Sequence, residues 1–512
     1  MKAIIRKRLK NAKRRIEHRL RAIAWEEQAK PMLAAKNIQY EIALRSRAVA
    51  AGGIGAMHLV AQRSGLVELI DQNVRVLKRH IPYHESDHVL NIAYNVLCGG
   101  SRLEHIEYRR NDEAYLDALG AQRIPDPTTE GDFCRRFAAP EQVEILMEAI
   151  NEARLNVWKK QPKKFFDEAV IDADGTIAET TGECKQGMDI AYNGKWGYSP
   201  LVISLANTGE PLYLSNRSGN RPSSEGAADY LDRAVTLCRR AGFKRFRLRG
   251  DTDFTQTERL DRWNAGGVKF VFGIPAMANL VDIAESLENK AFSPLQRPAK
   301  YDLKTAPRQR PENVKERIVR EREYKNIRLQ SEELAEFDYR PTKCKTSYRV
   351  IVLKKNLSVE RGEQRLFDDI RWFFYITNDW KKSAAGIVRD ANCRCNQENL
   401  IAQLKGGVKA MAMPVDTLLS NWAYMVMASL AWTLKAWTAL LLPENGRWAK
   451  KHREEKRTLL RMEFATFVQA FVQMPAAIIR TGRRIVYRLL SWNPWQHVFF
   501  RLLDQLCLPL RC

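Results

Sequence analysis

The chain has 512 residues and a formal charge of +24, from 84 Lys and Arg against 60 Asp and Glu, and 45% of its residues are hydrophobic. That composition excludes a disordered chain, and the length predicts about two to four packed units. The positive excess favours a polyanionic partner, with nucleic acid first and an anionic membrane second. The nine cysteines include no CxxC pair, which argues against a disulfide framework or a cysteine zinc site and favours a reducing cytoplasm.

The first part of the chain, to about residue 158, has a helical pattern. Residues 1–22 hold ten Lys or Arg and one acid, and their helical apolar stripe predicts a basic amphipathic helix. Such a helix can lie along DNA, lie on a membrane, or pack one face on the protein body. From about 55 to 158 short helical patterns are separated by tight turns, which suits a DNA-binding helical bundle but is also a common structural arrangement.

At about residue 165 the hydrophobic period changes to that of strands. "FDEAVIDADGT", "YSPLVISLAN" and "EPLYLSNRSGN" predict three strands, followed by a helix ending at Gly242, the strand "KRFRLRGDTDF", a helix and the strand "VKFVFGIPA". This order predicts an α/β fold with a mixed sheet flanked by helices. Residues 278–366 are predicted to be a mostly β or mixed insertion, and beyond 410 the chain is predicted to be helical and basic to its end. The apolar run 418–443 contains Asn421 and Lys435, so buried helices explain it better than a membrane span.

Two predicted strands end in acids, Asp172 and Asp174 on the first and Asp251 on the fourth. Between His105 and His452 the sequence contains no histidine, so chemistry in that region depends on carboxylates. Oxygen ligands without N or S partners favour Mg²⁺ or Mn²⁺. A single Asp in this position is more often a turn cap or an ion-pair partner, so the acids carry weight only as a group.

The stretch "RCNQENLIAQLK" predicts one helix that presents Arg394, Glu398, Ile401 and Lys405 on a single face. One carboxylate between two cations can be a surface ion-pair ladder, worth roughly 0.2–0.5 kcal/mol per pair. It can also be a metal ligand flanked by cations that bind a phosphate backbone.

Together these motifs resemble those of the DDE transposases of bacterial insertion sequences, whose catalytic core is ribonuclease-H-like. The nearest likeness is to the group usually called IS thirteen-eighty, within the IS-four-like set. The motifs are "DGT" beginning at Asp174, "RGDTDF" with Asp251, and the pattern R-x3-E-x6-K at Arg394, Glu398 and Lys405.

The resemblance implies that Asp174, Asp251 and Glu398 bind two Mg²⁺ ions, for which Mn²⁺ is a possible substitute. One ion would activate water or a DNA 3′-hydroxyl for attack on a phosphodiester, and the other would stabilise the departing 3′-oxygen. Arg394 and Lys405 would bind the phosphates near the scissile bond.

The sequence departs from its relatives in two places. IS-four-like relatives have a Tyr where Ala391 stands. The first strand offers Asp172 as an alternative to Asp174, which is preferred because Gly and Thr follow it as the family motif requires. Asp253 is likewise a weaker alternative to Asp251.

The likeness covers roughly residues 85–440. With the composition shifts it divides the chain into a basic N-terminal helical arm (1–50), a helical DNA-binding bundle (51–160), the first part of the ribonuclease-H-like core (161–277), an insertion subdomain (278–366), the second part of the core with the Glu398 helix (367–442) and a basic helical C-terminal region (443–512).

The implied function is a DNA transposase that binds the terminal inverted repeats of its insertion sequence, cleaves the ends and transfers them to target DNA. Its partners would be double-stranded DNA and a second protomer on that DNA, in the cytoplasm at the nucleoid and not at a membrane. Two alternatives share the motifs: a metal-dependent DNA nuclease without strand transfer, and a non-catalytic DNA-binding protein derived from a transposase. A membrane-surface protein that uses residues 1–22 is a third.

Trp372 or Trp380 could stack on an extruded base, although core packing is the commoner role of a strand Trp.

Overall fold

The computed structural model describes residues 3–19, 47–80, 82–297, 314, 317–318, 326–360, 369–481 and 484–506. Two parts of the predicted segments, 20–46 in the N-terminal arm and most of 298–325 in the insertion, lie outside the described residues.

The helices and strands follow one another along the chain in alternating groups. The helices are α1 (Ala3–Arg19), α2 (Ile54–Arg63), α3 (Leu66–Asn73), α4 (Glu85–Leu97), α5 (Ile106–Arg110), α6 (Glu113–Leu119), α7 (Pro127–Arg135), α8 (Pro140–Trp158), α9 (Ala227–Ala241), α10 (Leu260–Ala265), α11 (Ala278–Ser286), α12 (Ala384–Cys393), α13 (Cys395–Gly406), α14 (Leu418–Leu440), α15 (Ala449–Arg461), α16 (Phe464–Phe467) and α17 (Gln496–Gln505). The strands are β1 (Ala48–Val49), β2 (Ala169–Gly175), β3 (Ala178–Glu179), β4 (Asp189–Ile190), β5 (Trp196–Tyr198), β6 (Leu201–Leu205), β7 (Glu210–Ser215), β8 (Phe246–Gly250), β9 (Val268–Ile274), β10 (Ser293–Pro294), β11 (Asn326–Tyr339), β12 (Tyr348–Glu360), β13 (Asp369–Thr377), β14 (Ala476–Thr481) and β15 (Arg484–Leu489).

The largest sheet contains nine strands of the described chain in the order β10-β11-β12-β13-β9-β8-β2-β6-β7. Strands β2, β6 and β7 form an antiparallel meander, while β8 pairs parallel with β2, and β9 pairs parallel with β8. An antiparallel meander continued by two parallel crossovers is the topology of a ribonuclease-H-like core. The prediction of an α/β fold with this mixed sheet flanked by helices is therefore confirmed.

The part of the sheet from β8 to β7 is covered by helices. Every residue of β6, β7 and β8 is buried, although β8 contains two arginines and only β6 is rich in Leu, Val and Ile. Helix α9 contacts β2 and β6, α13 contacts β2, and α8 and α14 contact β7. This packing fixes the place of α13 against the first strand, which carries the predicted acids.

The four described strands between α11 and α12 continue the same sheet. Strands β13, β12, β11 and β10 extend it beyond β9 in antiparallel pairs. The apolar sequences "YRVIVLKKN" and "IRWFFYITND" lie largely in β12 and β13, and the charged sequence "NIRLQSEELAEFDY" forms β11.

Helix α14 is the centre of the helical part. It is buried along nearly its whole length and contacts α2, α4, α7, α8 and α15, so the prediction that the apolar run is a buried helix is confirmed. Among the described helices none is long and apolar enough to cross a membrane. The ammonium of Lys435 lies inside this packing, donates to the main-chain oxygen of Leu460 at 2.9 Å and lies 3.8 Å from the ring centroid of Trp432.

A buried carboxylate joins the helices to the edge of the sheet. Glu210 on β7 accepts hydrogen bonds from Arg154 and Trp158 on α8 and from Trp437 on α14, at 2.9–3.1 Å. Its hydrophobic surroundings belong to one contiguous core that includes residues of both the bundle and the sheet.

The C-terminal region differs from its prediction, because residues 476–481 and 484–489 are not helical. They form the strands β14 and β15, which pair with each other, and β14 also pairs with β1. The sequence "AAIIRTGRRIVYRLL" has the β-branched residues and the central Gly of a hairpin, so its strand character outweighs the helical trend around it.

Candidate active site

The first strand presents two carboxylates on the same face of the sheet, because residues two apart in a strand point the same way. Asp172 is paired with Arg249 on β8: its two carboxylate oxygens accept hydrogen bonds from Nε and an Nη of the guanidinium, each at 2.7 Å. The residue is 1% exposed. Burial works against the charge of Arg249, but its hydrogen bonds to Asp172 raise its pKa above the ordinary value.

Asp174 lies two residues further along β2 and is 9% exposed. Asp251 follows the last residue of β8, the parallel neighbour of β2. The carboxyl ends of adjacent parallel strands lie side by side, so the two acids meet there. Asp251 also accepts the main-chain N–H of Asp253 at 3.0 Å, and the carboxylate of Asp253 is exposed.

Helix α13 brings the third acid. Arg394 is its N-terminal cap and Glu398 follows one turn later, with the Glu398 side chain 59% exposed. The prediction that this stretch is a single helix is confirmed. Leu400 and Leu404 are buried, and Ile401, which the spacing places on the face of Glu398, is buried with them, so the helix has a fixed rotation on the sheet.

A buried glutamine anchors this helix, and the sequence prediction missed it. The side chain of Gln397 accepts a hydrogen bond from the hydroxyl of Ser204 and donates to the main-chain oxygen of Val202 at 2.9 Å, both on β6. Its spacing from Ile401 and Leu404 on one helix face could have indicated a buried position. The anchor holds α13 in a position where the carboxylate of Glu398, the next residue, lies 3.6 Å from the guanidinium of Arg394.

The guanidinium of Arg394 stands among the three acids. Its nitrogen atoms lie 3.2 Å from Asp174, 3.8 Å from Asp251 and 3.6 Å from Glu398. The structure thus brings Asp174, Asp251, Glu398 and Arg394 together, whereas Asp172, which also feels the charge of Arg394, is hydrogen-bonded to Arg249. The salt bridge to Arg249 that separates Asp172 was not foreseen, because the pairing of β2 with β8 decides it.

Burial and neighbouring carboxylates raise the pKa of the two aspartates, Asp174 and Asp251. Burial raises the pKa of Asp174 to about 7, with contributions from Asp251 and Glu398, while Arg394 opposes the shift. Burial also raises the pKa of Asp251, again against Arg394. The site therefore carries more negative charge than one guanidinium offsets, which favours an additional cation.

The donor set suits a hard divalent cation, because it consists of carboxylate oxygens alone. As the side chains stand, no three His, Cys, Asp or Glu residues in the described ranges are arranged to hold a metal ion. The guanidinium of Arg394 occupies the space among the carboxylates where a metal cation would bind. The residues fit a divalent ion chemically, provided that the guanidinium moves aside.

Lys405 lies at the other end of α13, away from the acids. Its ammonium donates to the main-chain oxygen of Ile177 at 2.7 Å and faces a cavity of about 530 Å³ that opens beside β2. Burial lowers the pKa of Lys405, and the charge of Lys195 lowers it further. Lys405 therefore faces the cavity next to β2, the strand that carries Asp174.

The remaining predicted positions have ordinary surroundings. Ala391 packs, partly buried, against a small apolar cluster that includes Ile387 and Val388. Trp372 is partly buried, with its ring centroid 6.0 Å from that of Phe292, and Trp380 is about half exposed.

The chain belongs to a family of DDE transposases. The family model, described as Transposase DDE domain group 1, matches residues 34–508. No curated protein matches the sequence. Among solved structures, the chain is similar to a cryo-EM structure of the piggyBac transposase synaptic complex with hairpin DNA. That similarity covers 81% of each chain, with 8% sequence identity and a TM-score of 0.37.

Proposed function

We propose that this chain is a DNA transposase that binds the terminal inverted repeats of its own insertion sequence, cleaves the DNA ends and transfers them to target DNA. The observation that carries the proposal is the convergence of Asp174, Asp251 and Glu398 on Arg394. Their motifs also support placing the chain in the IS thirteen-eighty group of the IS-four-like set. The charge of +24 suits DNA as the partner.

Asp174, Asp251 and Glu398 would hold two Mg²⁺ ions, or Mn²⁺ in their place. When bound, these ions supply activation of the attacking oxygen and stabilisation of the departing 3′-oxygen. The three side chains come from β2, the end of β8 and α13, and the buried contacts of Gln397 keep α13 in place. Asp172, held by Arg249, would position β2 against β8 and not bind metal.

Arg394 would exchange partners when DNA enters the site. A phosphate near the scissile bond offers its guanidinium two parallel hydrogen bonds, which are stronger than its present contacts of 3.2–3.8 Å. Moving Arg394 onto the phosphate would free the carboxylates for metal. Lys405, two turns further along the helix, would hold another phosphate of the same strand.

The basic helix α1 and the helical bundle would recognise the element ends. Most residues of α1 are exposed, and its Lys and Arg can contact phosphates without sequence preference. Two ends must be joined in one reaction, so the active form would be at least a dimer on DNA, working at the nucleoid.

The test is cleavage of a labelled duplex that carries the ends flanking the gene, with and without Mg²⁺. We expect metal-dependent cuts at the element boundary, lost in Glu398→Gln and kept in Glu285→Gln. The second variant removes an equal charge from an exposed position on α11. Joining of the cut 3′ ends to a plasmid is then measured in the same reactions.

The outcomes separate the alternative functions. Cleavage without joining would favour a nuclease that lacks strand transfer. Tight binding of the ends with no cleavage under Mg²⁺ or Mn²⁺ would contradict the proposal and favour a DNA-binding protein derived from a transposase.

A further inference from the structure

A cavity lies beside the end of β2, and apart from Lys405 its lining residues have no part in the function described so far. Its volume is about 530 Å³, and it is open to solvent on one side. Gly175 and Thr176, which directly follow Asp174, form one wall, the turn between β4 and β5 forms another, and Lys405 closes the end. A ligand in this cavity would therefore lie against the two residues that follow Asp174.

Two lysines from different elements face this cavity, Lys195 from the β4–β5 turn and Lys405 from α13. The pKa of Lys405 is lowered by burial and then by the charge of Lys195, so the two ammonium groups act on each other. Glu179, which also lines the cavity, pairs with Lys195 at 2.6 Å and leaves the lining with two cations and one acid; both side chains of this pair are more than half exposed, and such pairs contribute little. The cavity therefore favours an anion that would relieve the repulsion between the lysines.

Exposed aromatic rings lie at the same place. Tyr192, which lines the cavity, is 89% exposed, and Trp196 on β5 is half exposed. The turn that carries Tyr192 is well defined, because the main-chain N–H of Ala191 donates to the oxygen of Lys195 at 2.8 Å. Gly194 completes it with a φ of 77°, a backbone conformation that favours glycine.

We propose that the cavity and the β4–β5 turn bind a single DNA strand beside the carboxylates, with a phosphate between Lys195 and Lys405 and a base stacked on Tyr192. Stacking on an aromatic side chain needs an unpaired base face, which a duplex does not offer. The volume is in the range of small-ligand sites and suits about one nucleotide. The inference rests on the proposed function, since the bound strand is the one on which the carboxylates would act.

The experiment measures binding of the full chain to a fluorescein-labelled oligothymidylate of about 16 nucleotides by fluorescence anisotropy, without divalent ions. We expect Tyr192→Ala to weaken binding about tenfold, while Tyr192→Phe, which keeps the ring, binds like the wild type. Lys195→Ala should reduce the slope of log affinity against log salt by about 0.7, the value for one phosphate contact on a single strand. Binding of a duplex of the same length should change less than about twofold in Tyr192→Ala, because its bases stay paired.

Equal loss of affinity in Tyr192→Ala and Tyr192→Phe, or unchanged strand binding in Tyr192→Ala, would overturn the inference. Cleavage of the element ends is measured on the same proteins to separate the two proposals. Cleavage by the wild type together with unaltered strand binding in Tyr192→Ala would contradict the inference alone. Ring-dependent strand binding by a wild type that does not cleave would support the binding surface and contradict the proposed transposase.

Discussion

At the scale of single residues, the central feature is the guanidinium of Arg394 among three carboxylates. It offsets one of three negative charges at contact distances of 3.2–3.8 Å. The spacing R-x3-E in the sequence places Arg394 and Glu398 on one helix face. It does not show that the same arginine also reaches Asp174 and Asp251, because that depends on how α13 packs on the sheet.

Arg394→Gln should increase the affinity of the DNA-free protein for Ca²⁺ or Mn²⁺. The substitution removes a positive charge that competes with the metal for the same oxygens, and we expect an increase of about tenfold, or ~1.4 kcal/mol. Isothermal titration calorimetry measures the affinity directly. Arg389→Gln, an exposed position on α12, is the matched control, and equal or weaker metal binding by Arg394→Gln would contradict the role given to Arg394.

Asp172→Asn and Asp174→Asn should have different effects on the free energy of unfolding and on cleavage. The first leaves the buried Arg249 without its charged partner, so the free energy of unfolding should fall by about 3 kcal/mol. The second removes a charge that burial already disfavours, so stability should stay equal or rise while cleavage is lost. Urea unfolding and cleavage are measured together, and a stable Asp172→Asn without cleavage would assign the metal to Asp172 instead.

At the scale of elements, the parts that the sequence predicted best are those with a strong local period. Strands β2, β6, β7, β8 and β9 and helix α13 follow directly from apolar alternation and helical spacing. Two hairpins were harder, because β11 is highly charged, and the basic stretch at β14–β15 also pairs with β1, a strand distant in sequence. The anchoring of α13 through Gln397 to β6 likewise depends on contacts between elements that one sequence does not reveal.

Helix α14 carries a buried ammonium with a measurable consequence. Burial lowers the pKa of Lys435 from 10.5 to about 7. Between these values the unfolded chain binds a proton that the folded chain does not, so the lysine makes the free energy of unfolding rise with pH by about 1.4 kcal/mol per pH unit. Below about pH 7 the lysine is charged in both states, and burying its charge lowers the free energy of unfolding by the full amount.

Lys435→Met should therefore stabilise the protein most near about pH 6, and its advantage over the wild type should shrink as the pH rises towards about 9. Thermal or urea unfolding of both proteins over this range measures the difference. The lost hydrogen bond to Leu460 lowers the stability of the variant by a constant amount. A difference between the two proteins that did not change with pH would contradict the assignment.

At the scale of the whole molecule, three acids distant in the chain meet beside the carboxyl ends of β2 and β8, two inner strands of the nine-stranded sheet. Asp251 and Glu398 are 147 positions apart, and the strands between them extend the same sheet rather than separate the acids. The topology and the family membership agree with the resemblance drawn from the motifs. That resemblance, and not the composition, selected Asp174, Asp251 and Glu398 from the acids of the chain.

The most direct test of a shared metal site is cleavage of the protein backbone by Fe²⁺ with ascorbate and peroxide, in the presence of the duplex that carries the element ends. Hydroxyl radicals formed at a bound ion cut the chain nearby, so we expect cuts close to residues 174, 251 and 398 in the wild type. Asp251→Asn should suppress all three cuts at once, and excess Mg²⁺ should do the same. Cuts at one segment only, or cuts that persist in Asp251→Asn, would contradict a site built by the three carboxylates together.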